Sequence, residues 1–264
     1  MLELENIKKV FFPGTINERI ALQNLNLTVS EGEFVTVIGE NGAGKSTMLN
    51  VISGVHPADG GRILLDGEDI SRQKEYKRSR HIGRVFQDPL KGTAFDMTIE
   101  ENLSIALGKG AARGLTPGIP RAAREMFRER LSLLGIGLEQ RMKHKVGLLS
   151  GGQRQALTLL MATIVRPKLL LLDEHTAALD PGAADTVNEL TTKIVTENNI
   201  ATLMVTHNMS SALAYGTRTI MMSEGTIVLD VSGAERGAMT VADLIAKFAE
   251  KKGRALDDDK LLLS

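Results

Sequence analysis

A glycine-rich segment in the first fifth of the chain carries the residue types that bind phosphate groups. It reads Gly-Glu-Asn-Gly-Ala-Gly-Lys-Ser over residues 39–46, which fits the phosphate-binding pattern G-x-x-x-x-G-K-[ST]. Glycines let the backbone wrap closely, so that its N–H groups point at phosphate oxygens, and a lysine adds positive charge. The residues expected to contact a nucleotide here are Gly39, Asn41, Gly42, Ala43, Gly44, Lys45, Ser46 and Thr47.

A second set of residues, with acid–base and metal-binding chemistry, follows an apolar segment. Residues 168–173 have the pattern of a buried strand, which ends in the paired carboxylates Asp173 and Glu174. Because Mg²⁺ prefers oxygen ligands, Ser46 and Asp173 are expected to bind it, Asp173 through water. Glu174 then faces the terminal phosphate and orients or deprotonates the attacking water. Together with the phosphate-binding segment, these carboxylates predict a nucleotide site.

A short glycine motif, Leu-Ser-Gly-Gly-Gln at residues 149–153, precedes an amphipathic segment that predicts a helix from Gln153 to Arg166. The glycines expose N–H groups where the helix dipole is positive, and the Ser150 hydroxyl can donate a hydrogen bond. We therefore expect a second anion-binding site, formed by Ser150, Gly151, Gly152 and Gln153.

The elements that must position these motifs follow the order strand, helix, strand with short connections, which predicts a parallel sheet. Apolar alternation over residues 2–29 predicts antiparallel strands, and a helical insert is expected at about 88–147. The other expected elements are strands at 34–38 and 201–206, hairpins turning at 66–67 and 224–225, helices at 48–52, 99–107, 121–134, 183–197 and 241–249, and loops at 108–120 and 257–264.

Composition and charge exclude several classes of protein. The chain has 264 residues, with 32 basic and 32 acidic side chains, no cysteine and 3% aromatic residues. Without cysteine it has no disulfide scaffold, Fe–S site or cysteine-ligated zinc, and without excess positive charge we expect no nucleic acid partner. The first residues lack the basic start and apolar run of a signal peptide, and no apolar stretch is long enough for a membrane span.

The motifs, in their order along the chain, resemble those of the ABC-type ATPases. Residues 149–153 match the signature of that family, and the resemblance covers about residues 2–230. It implies a role for four more residues: Gln87 as the glutamine that senses Mg²⁺, His207 as the histidine that contacts the terminal phosphate, Asp180 in the loop that crosses the dimer contact, and Phe11 as the aromatic that stacks on adenine. Phe12 is the alternative to Phe11, and a packing role stays open for either.

The resemblance implies an α/β fold of the P-loop NTPase type, with a mixed sheet core, an N-terminal antiparallel β-subdomain and a helical insert subdomain. Residues 1–230 would form the ATPase domain, and residues 231–264 a C-terminal helix and tail. That helix could dock on its own domain, contact a sister subunit or bind a regulator, and docking is the expected outcome.

The resemblance also implies that neither nucleotide site is complete within one chain, because the signature of each subunit completes the site of the other. We therefore expect a head-to-tail homodimer, or a pair with a closely related ATPase, that holds two ATP molecules and Mg²⁺ at its interface. The implied catalytic residues are Glu174, His207 and Gln87, and the implied metal-binding residues are Ser46, Gln87 and Asp173.

Transport is the implied function, with a location on the cytoplasmic face of the cell membrane. Since no membrane span is predicted, a separate integral membrane permease is needed. The resemblance implies that the permease binds between the Gln87 region and the helical insert, in a groove lined by residues 88–94. Import is favoured, because fused spans and the Glu-Gly-rich run of exporters are lacking. Similarity to ATPases of branched-chain-amino-acid-like permeases also implies an extracytoplasmic solute-binding protein and an aromatic or branched-chain amino acid as substrate.

Other interpretations stay open on the sequence. Export, or extrusion of lipids or lipoproteins, is the main alternative. An ATPase of DNA repair or translation is disfavoured by the short insert, the single domain and the neutral charge. His175 stands where many members of the family have proline. The order Asp173-Glu174-His175 suggests a metal site, but this interpretation is disfavoured because adjacent strand residues point to opposite sides.

Overall fold

The computed structural model describes residues 1–109 and 118–250 of the chain. Most of the loop predicted at 108–120, and all of the tail predicted at 257–264, therefore lie outside the described residues. Within the described ranges, no helix combines the length and the apolar character that crossing a bilayer requires.

The strands of the described residues form two sheets. They are β1 Leu2–Phe11, β2 Arg19–Val29, β3 Phe34–Gly39, β4 Gly60–Leu65, β5 Glu68–Asp69, β6 Ile82–Val85, β7 Leu169–Asp173, β8 Ala201–Val205, β9 Arg218–Ser223 and β10 Thr226–Ser232. The first sheet is antiparallel, in the order β2–β1–β4–β5, and the second has the order β10–β9–β3–β8–β7–β6. In the second sheet only β10 pairs antiparallel with its neighbour, which confirms the predicted mixed core and antiparallel β-subdomain.

Every helix predicted from the sequence is present, with bounds that differ by at most three residues. The helices are α1 Lys45–Ser53, α2 Glu75–Arg78, α3 Ile99–Leu107, α4 Arg121–Ser132, α5 Gly151–Thr163, α6 Pro181–Glu197, α7 Met209–Ala214 and α8 Gly233–Gly237, followed by helical residues 241–250. Both predicted hairpin turns are also confirmed, because their first residues, Asp66 and Glu224, adopt positive φ before a glycine, as two-residue turns of this kind require.

The helix after the signature motif begins earlier than predicted. It starts at Gly151 rather than Gln153, because Ser150 caps it: the Ser150 hydroxyl accepts from the Gln153 backbone N–H at 3.3 Å, and the Gln153 side chain accepts from the Ser150 N–H. It also ends at Thr163 rather than Arg166, because the residue four positions on, Pro167, has no N–H to donate to the Thr163 carbonyl. Both glycines of the motif therefore lie in the first turn of α5.

Helix α5 joins the insert to the central sheet. On one side Leu157 packs with Phe127 and Leu131 of α4 in the core of the insert. On another side Leu159 packs against Leu172 of β7 in a core that belongs to the sheet. The same helix therefore contacts the insert, carries the signature motif at its start and supports the strand that ends in the paired carboxylates.

The C-terminal helix docks on its own domain, as expected. Leu244 is fully buried and packs with Ile38 of β3 and Met221 of β9. Just before it, Arg236 donates hydrogen bonds to the backbone carbonyls at the end of α7, those of Ala212, Leu213 and Tyr215. A cation at the carboxyl end of a helix is favoured by the helix dipole, so this arginine ties the segment to the domain.

Candidate nucleotide site

The phosphate-binding loop connects β3 to α1, and its shape depends on glycine. A Cβ atom at Gly39 would lie 2.2 Å from the Met222 carbonyl oxygen, and one at Gly44 would lie 2.5 Å from the Ala21 carbonyl oxygen. Both glycines also have positive φ, at 146° and 100°. The loop is therefore a tight backbone cradle at the start of a helix, which fits the phosphate groups of a nucleotide.

Lys45 is buried beside this cradle. Its Nζ donates to the carbonyl oxygens of Gly39 and Glu40, at 2.7 and 2.9 Å. Burial lowers the pKa of the Lys45 ammonium, and the nearby carboxylates of Glu174 and Asp173 oppose that shift. A phosphate in the loop offers anionic acceptors in place of neutral carbonyls, and charge-assisted hydrogen bonds of this kind are the stronger ones.

The two carboxylates after β7 have different partners. Asp173 Oδ1 accepts from the Ser46 hydroxyl at 3.2 Å, so two of the predicted metal ligands lie together. Glu174 has a φ of 49°, in the left-handed region, which costs a residue with a Cβ atom about 1–2 kcal/mol. This backbone turn separates the two side chains, and Glu174 Oε1 accepts from His207 Nε2 at 2.6 Å. For Nε2 to donate, it must carry a proton.

His207 is held by the turn between β8 and α7. The Thr206 N–H donates to the Val37 carbonyl at 3.1 Å, and the Asn208 side chain caps α7 by accepting from the Ser211 N–H at 2.9 Å. The His207 side chain is 47% exposed, whereas that of Glu174 is 11% exposed. A mostly buried carboxylate therefore meets a histidine that reaches out to solvent, an arrangement suited to orienting a water molecule.

A cavity of about 160 Å³ lies beside the loop, and its wall brings Phe11 and Glu174 together with most residues of the phosphate-binding loop. Gly39 and Ala43 belong to the loop but not to the cavity wall, and Phe12 is 67% exposed outside that wall. The lining consists of Phe11, Arg19, Ala21, Asn41, Gly42, Gly44, Lys45, Ser46, Thr47 and Glu174. The structure therefore favours Phe11 over Phe12 for contact with a base.

Phe11 is supported on two sides. Its ring meets the edge of His56, with ring centroids 5.4 Å apart, and the Lys9 ammonium lies 5.6 Å from its centroid. We predict that Phe11→Ala weakens ATP binding by about tenfold, because a stacked aromatic pair contributes about 0.5–1.5 kcal/mol beyond buried area. Phe12→Ala, the matched control, should change the affinity less than twofold. Titration with a fluorescent ATP analogue measures both, and equal effects would contradict the assignment.

The signature residues lie elsewhere. Among the described residues, the lining of the cavity includes none of Ser150, Gly151, Gly152 and Gln153. A Cβ atom at Gly152 would lie 2.9 Å from Ala183 Cβ, and one at Gly151 would lie 3.1 Å from Leu179 Cδ2. Packing against Leu179 and the start of α6 thus gives the glycines a role within this chain, which the sequence alone did not indicate. The capping hydroxyl of Ser150 can still donate its own hydrogen.

Four further predicted residues also lie outside the cavity wall. Asp173 and His207 contact the lining residues Ser46 and Glu174, whereas Asp180 and Gln87 have other surroundings. Asp180 caps α6 by accepting from the Ala183 N–H at 3.0 Å. Gln87 is exposed two residues beyond the end of β6. The structure therefore does not place either side chain against the phosphate-binding loop.

Two arginines at the site were not predicted from the sequence. Arg19, at the start of β2, lines the cavity and donates to the Gly42 carbonyl at 3.1 Å. Arg84, in β6, lies 3.3 Å from Asp173 Oδ2. No motif contains either residue, but an arginine between the buried Ile82 and Val85 is a signal, because arginines are rarely buried unless they are paired.

His175 does not join a metal site. It is 2% exposed, and its Nε2 lies 3.2 Å from the Thr191 hydroxyl, which in turn donates to the Val187 carbonyl. Nε2 is therefore the donor in the neutral imidazole. Within the described part of the chain, no group of three His, Cys, Asp or Glu side chains could hold a metal ion.

Acid is expected to destabilise the fold through His175. Burial lowers its pKa from 6.5 to about 4, so below pH 6.5 the unfolded chain binds a proton that the folded chain does not. Stability is lost as the pH falls from 6.5 to 4, by up to about 3 kcal/mol. Urea unfolding at pH 7 and pH 5 should show a smaller loss for His175→Gln than for the wild type. Identical losses would exclude His175 as the cause.

Comparison with known proteins identifies the family. The sequence profile described as ABC transporter matches residues 22–177. The tyrosine transport ATP-binding protein of Clostridioides difficile (strain R20291) is 47% identical over 249 residues, which cover 94% of this chain and 98% of that protein. The chain belongs to the ABC transporter family. As a member of this family, it is an ATPase of a transporter and binds ATP with Mg²⁺.

Other ABC proteins are similar to most of this chain. A solved structure of the dimeric, post-hydrolysis state of an ATP-binding cassette, bound to ADP and phosphate, has a TM-score of 0.75 and 30% identity, and the match covers 88% of this chain and 98% of that one. The lipoprotein-releasing system ATP-binding protein of Ruegeria sp. (strain TM1040) is 33% identical over 86% of this chain and 97% of that protein. The ABC-type fold predicted from the sequence is confirmed.

Proposed function

We propose that this ATPase powers the import of an amino acid through a separate integral membrane permease. The observation that carries the proposal is the 47% identity, over 94% of the chain, to a protein named for tyrosine transport. Tyrosine is therefore the first substrate to test, with branched-chain amino acids as the second class. The protein would lie on the cytoplasmic face of the membrane and work with an extracytoplasmic solute-binding protein.

The chain's own groups divide the work of hydrolysis. Loop N–H groups and Lys45 bind the phosphates, while the oxygens of Ser46 and Asp173 fit Mg²⁺, which supplies positive charge to phosphate oxygens. Glu174 accepts a proton from the attacking water, and His207 keeps that carboxylate oriented through the 2.6 Å hydrogen bond. Gln87 lies outside the cavity wall, so contact between its side chain and Mg²⁺ requires a shift of the segment after β6.

A head-to-tail dimer completes each site. Two observations support it: the exposed Ser150 lies outside the cavity that contains Lys45, and a cassette of similar fold is a dimer with ADP and phosphate. In this arrangement the signature N–H groups of one copy meet the terminal phosphate held by the other. ATP joins the copies, and hydrolysis releases them.

Residues 1–230 serve as the ATPase domain, and the insert at about 88–147 receives the permease. A cavity of about 280 Å³ supports this docking, because it lies between the core and the insert next to Gln87. Lys91 and Gly92, which belong to the predicted contact segment 88–94, line it, together with Arg84, Phe86 and Lys109 among others. A permease segment seated there touches the strand that leads to Gln87.

Uptake into vesicles tests the proposed transport. Membrane vesicles that contain the permease and this chain, loaded with ATP and given the binding protein outside, should accumulate radiolabelled tyrosine. Vesicles made with Glu174→Gln should not, because that chain binds ATP without turning it over. Release of lipoprotein instead of uptake would favour the alternative suggested by the Ruegeria relative, and ATPase activity indifferent to permease and binding protein would contradict import.

A further inference from the structure

Arg84 is a nearly buried cation to which no motif of the sequence gives a role. Its side chain is 11% exposed, and it lies in β6, the edge strand beside β7. Nη2 donates to Asp173 Oδ2 at 3.3 Å and to Asn50 Oδ1 at 2.7 Å, and Nη1 donates to the Ser53 hydroxyl at 3.1 Å. One guanidinium therefore connects three elements, α1, β6 and β7.

These contacts bear on the geometry of the metal ligands. Helix α1 carries Ser46, and β7 ends in Asp173, whose Oδ1 accepts from the Ser46 hydroxyl at 3.2 Å. By holding the other carboxylate oxygen, Oδ2, and two side chains of α1, Arg84 sets both the rotation of the carboxylate and its separation from the helix. The planar fork of an arginine can hold several acceptors at once, whereas a lysine presents a single point of charge.

Stability alone is a poor explanation for this arginine. A buried ion pair costs desolvation energy, and well-packed apolar residues in its place are often as stable. Among the described side chains, Arg84 Nε is one of the few buried polar atoms without a hydrogen-bond partner, so the cation is not fully satisfied. A buried cation that leaves its Nε without a hydrogen-bond partner, while its Nη2 contacts a carboxylate of the site, indicates a functional role.

We propose that Arg84 is a positioning residue for Mg²⁺ binding. Its guanidinium donates a hydrogen bond to Oδ2 of Asp173, so that Oδ1 stays directed at Ser46 and is available to the metal. The inference rests on the proposed metal-binding role of Asp173. It predicts that Arg84 affects the response of nucleotide binding to Mg²⁺, and not the binding of ATP by the loop itself.

Binding of a fluorescent ATP analogue to the purified full chain, in EDTA and across a Mg²⁺ titration, tests this role. With Arg84→Met, the affinity in EDTA should stay within about twofold of wild type, while the half-saturating Mg²⁺ concentration rises by about tenfold, as for other residues that orient a metal ligand. Arg84→Lys should recover part of the loss. An unchanged or lower Mg²⁺ requirement would overturn the inference, and so would an equal loss of affinity in EDTA and in Mg²⁺, which indicates a structural role.

Two further variants separate the possible failures. Arg62→Met removes an exposed arginine of β4 that pairs with Glu5. It should change neither the affinity for the ATP analogue in EDTA nor the half-saturating Mg²⁺ concentration. Asp173→Asn should raise the Mg²⁺ requirement at least as much as Arg84→Met. If Asp173→Asn has no effect, the proposed metal site fails and the inference fails with it. If Asp173→Asn weakens Mg²⁺ binding and Arg84→Met does not, only the role of Arg84 is wrong.

Discussion

Replacing Glu174 by glutamine is expected to lower ATP hydrolysis by at least about a hundredfold while leaving ATP binding intact. The amide has almost the same shape, so its oxygen can still accept from His207 Nε2 and the φ of 49° is no more costly. It cannot take a proton from water, however. Single-turnover hydrolysis and ATP titration measure the two effects separately.

The Glu174→Gln variant should also accumulate as an ATP-bound dimer, because the step that separates the copies is blocked. Size-exclusion chromatography with ATP and Mg²⁺ should show twice the monomer mass, and without nucleotide it should show the monomer. Glu189→Gln, on the exposed face of α6, makes the same chemical change away from the site and should behave as wild type. Normal turnover by Glu174→Gln would remove Glu174 from its catalytic role.

Replacing Ser150 by arginine is the second change with a large expected effect. ATP binding to the monomer should persist, because Ser150 lies outside the cavity that holds the phosphate-binding loop. Hydrolysis should fall to background, since a long cation blocks the approach of a partner's nucleotide to the start of α5. When this change is added to Glu174→Gln, the trapped dimer should disappear from size-exclusion chromatography.

Controls distinguish this effect from simple damage to the helix. Losing the Ser150 cap costs about 1 kcal/mol, so the melting temperature of each variant is measured alongside activity. Ser132→Arg introduces the same side chain at an exposed position near the end of α4 and should leave hydrolysis unchanged. Unaltered hydrolysis by Ser150→Arg would contradict a site shared between two chains.

Local chemistry was sufficient to predict the parts of the site that are continuous in sequence. The strand, glycine loop and helix over residues 34–53 follow from apolar pattern and glycine spacing, and the end of β7 at Asp173 follows from one apolar run. Thr98 caps α3, since its hydroxyl accepts from the Glu101 backbone N–H and the Glu101 side chain accepts from the Thr98 N–H. The bounds predicted for this helix, 99–107, agree with the structure. These features depend on neighbours within a few residues, which a sequence displays directly.

Features that depend on distant residues could not be predicted in the same way. Arg84 acquires its role from Asn50 and Asp173, which come from two other elements. The choice of Phe11 over Phe12 depends on which side chain faces the loop once β1 has paired with its neighbours. The close contact of Gly152 with Ala183 depends on how α5 packs against α6. In each case tertiary contacts, not local propensity, decide the outcome.

Mixing two inactive variants tests whether each nucleotide site is built from two copies of this chain. Lys45→Ala disables the phosphate-binding loop, and Ser150→Arg disables the signature. A mixed dimer contains one site with both defects and one site with neither. An equal mixture should therefore regain about a quarter of the wild-type ATPase rate, since half of the dimers are mixed and each has one intact site of two. A mixture no more active than its separate components would contradict the shared site.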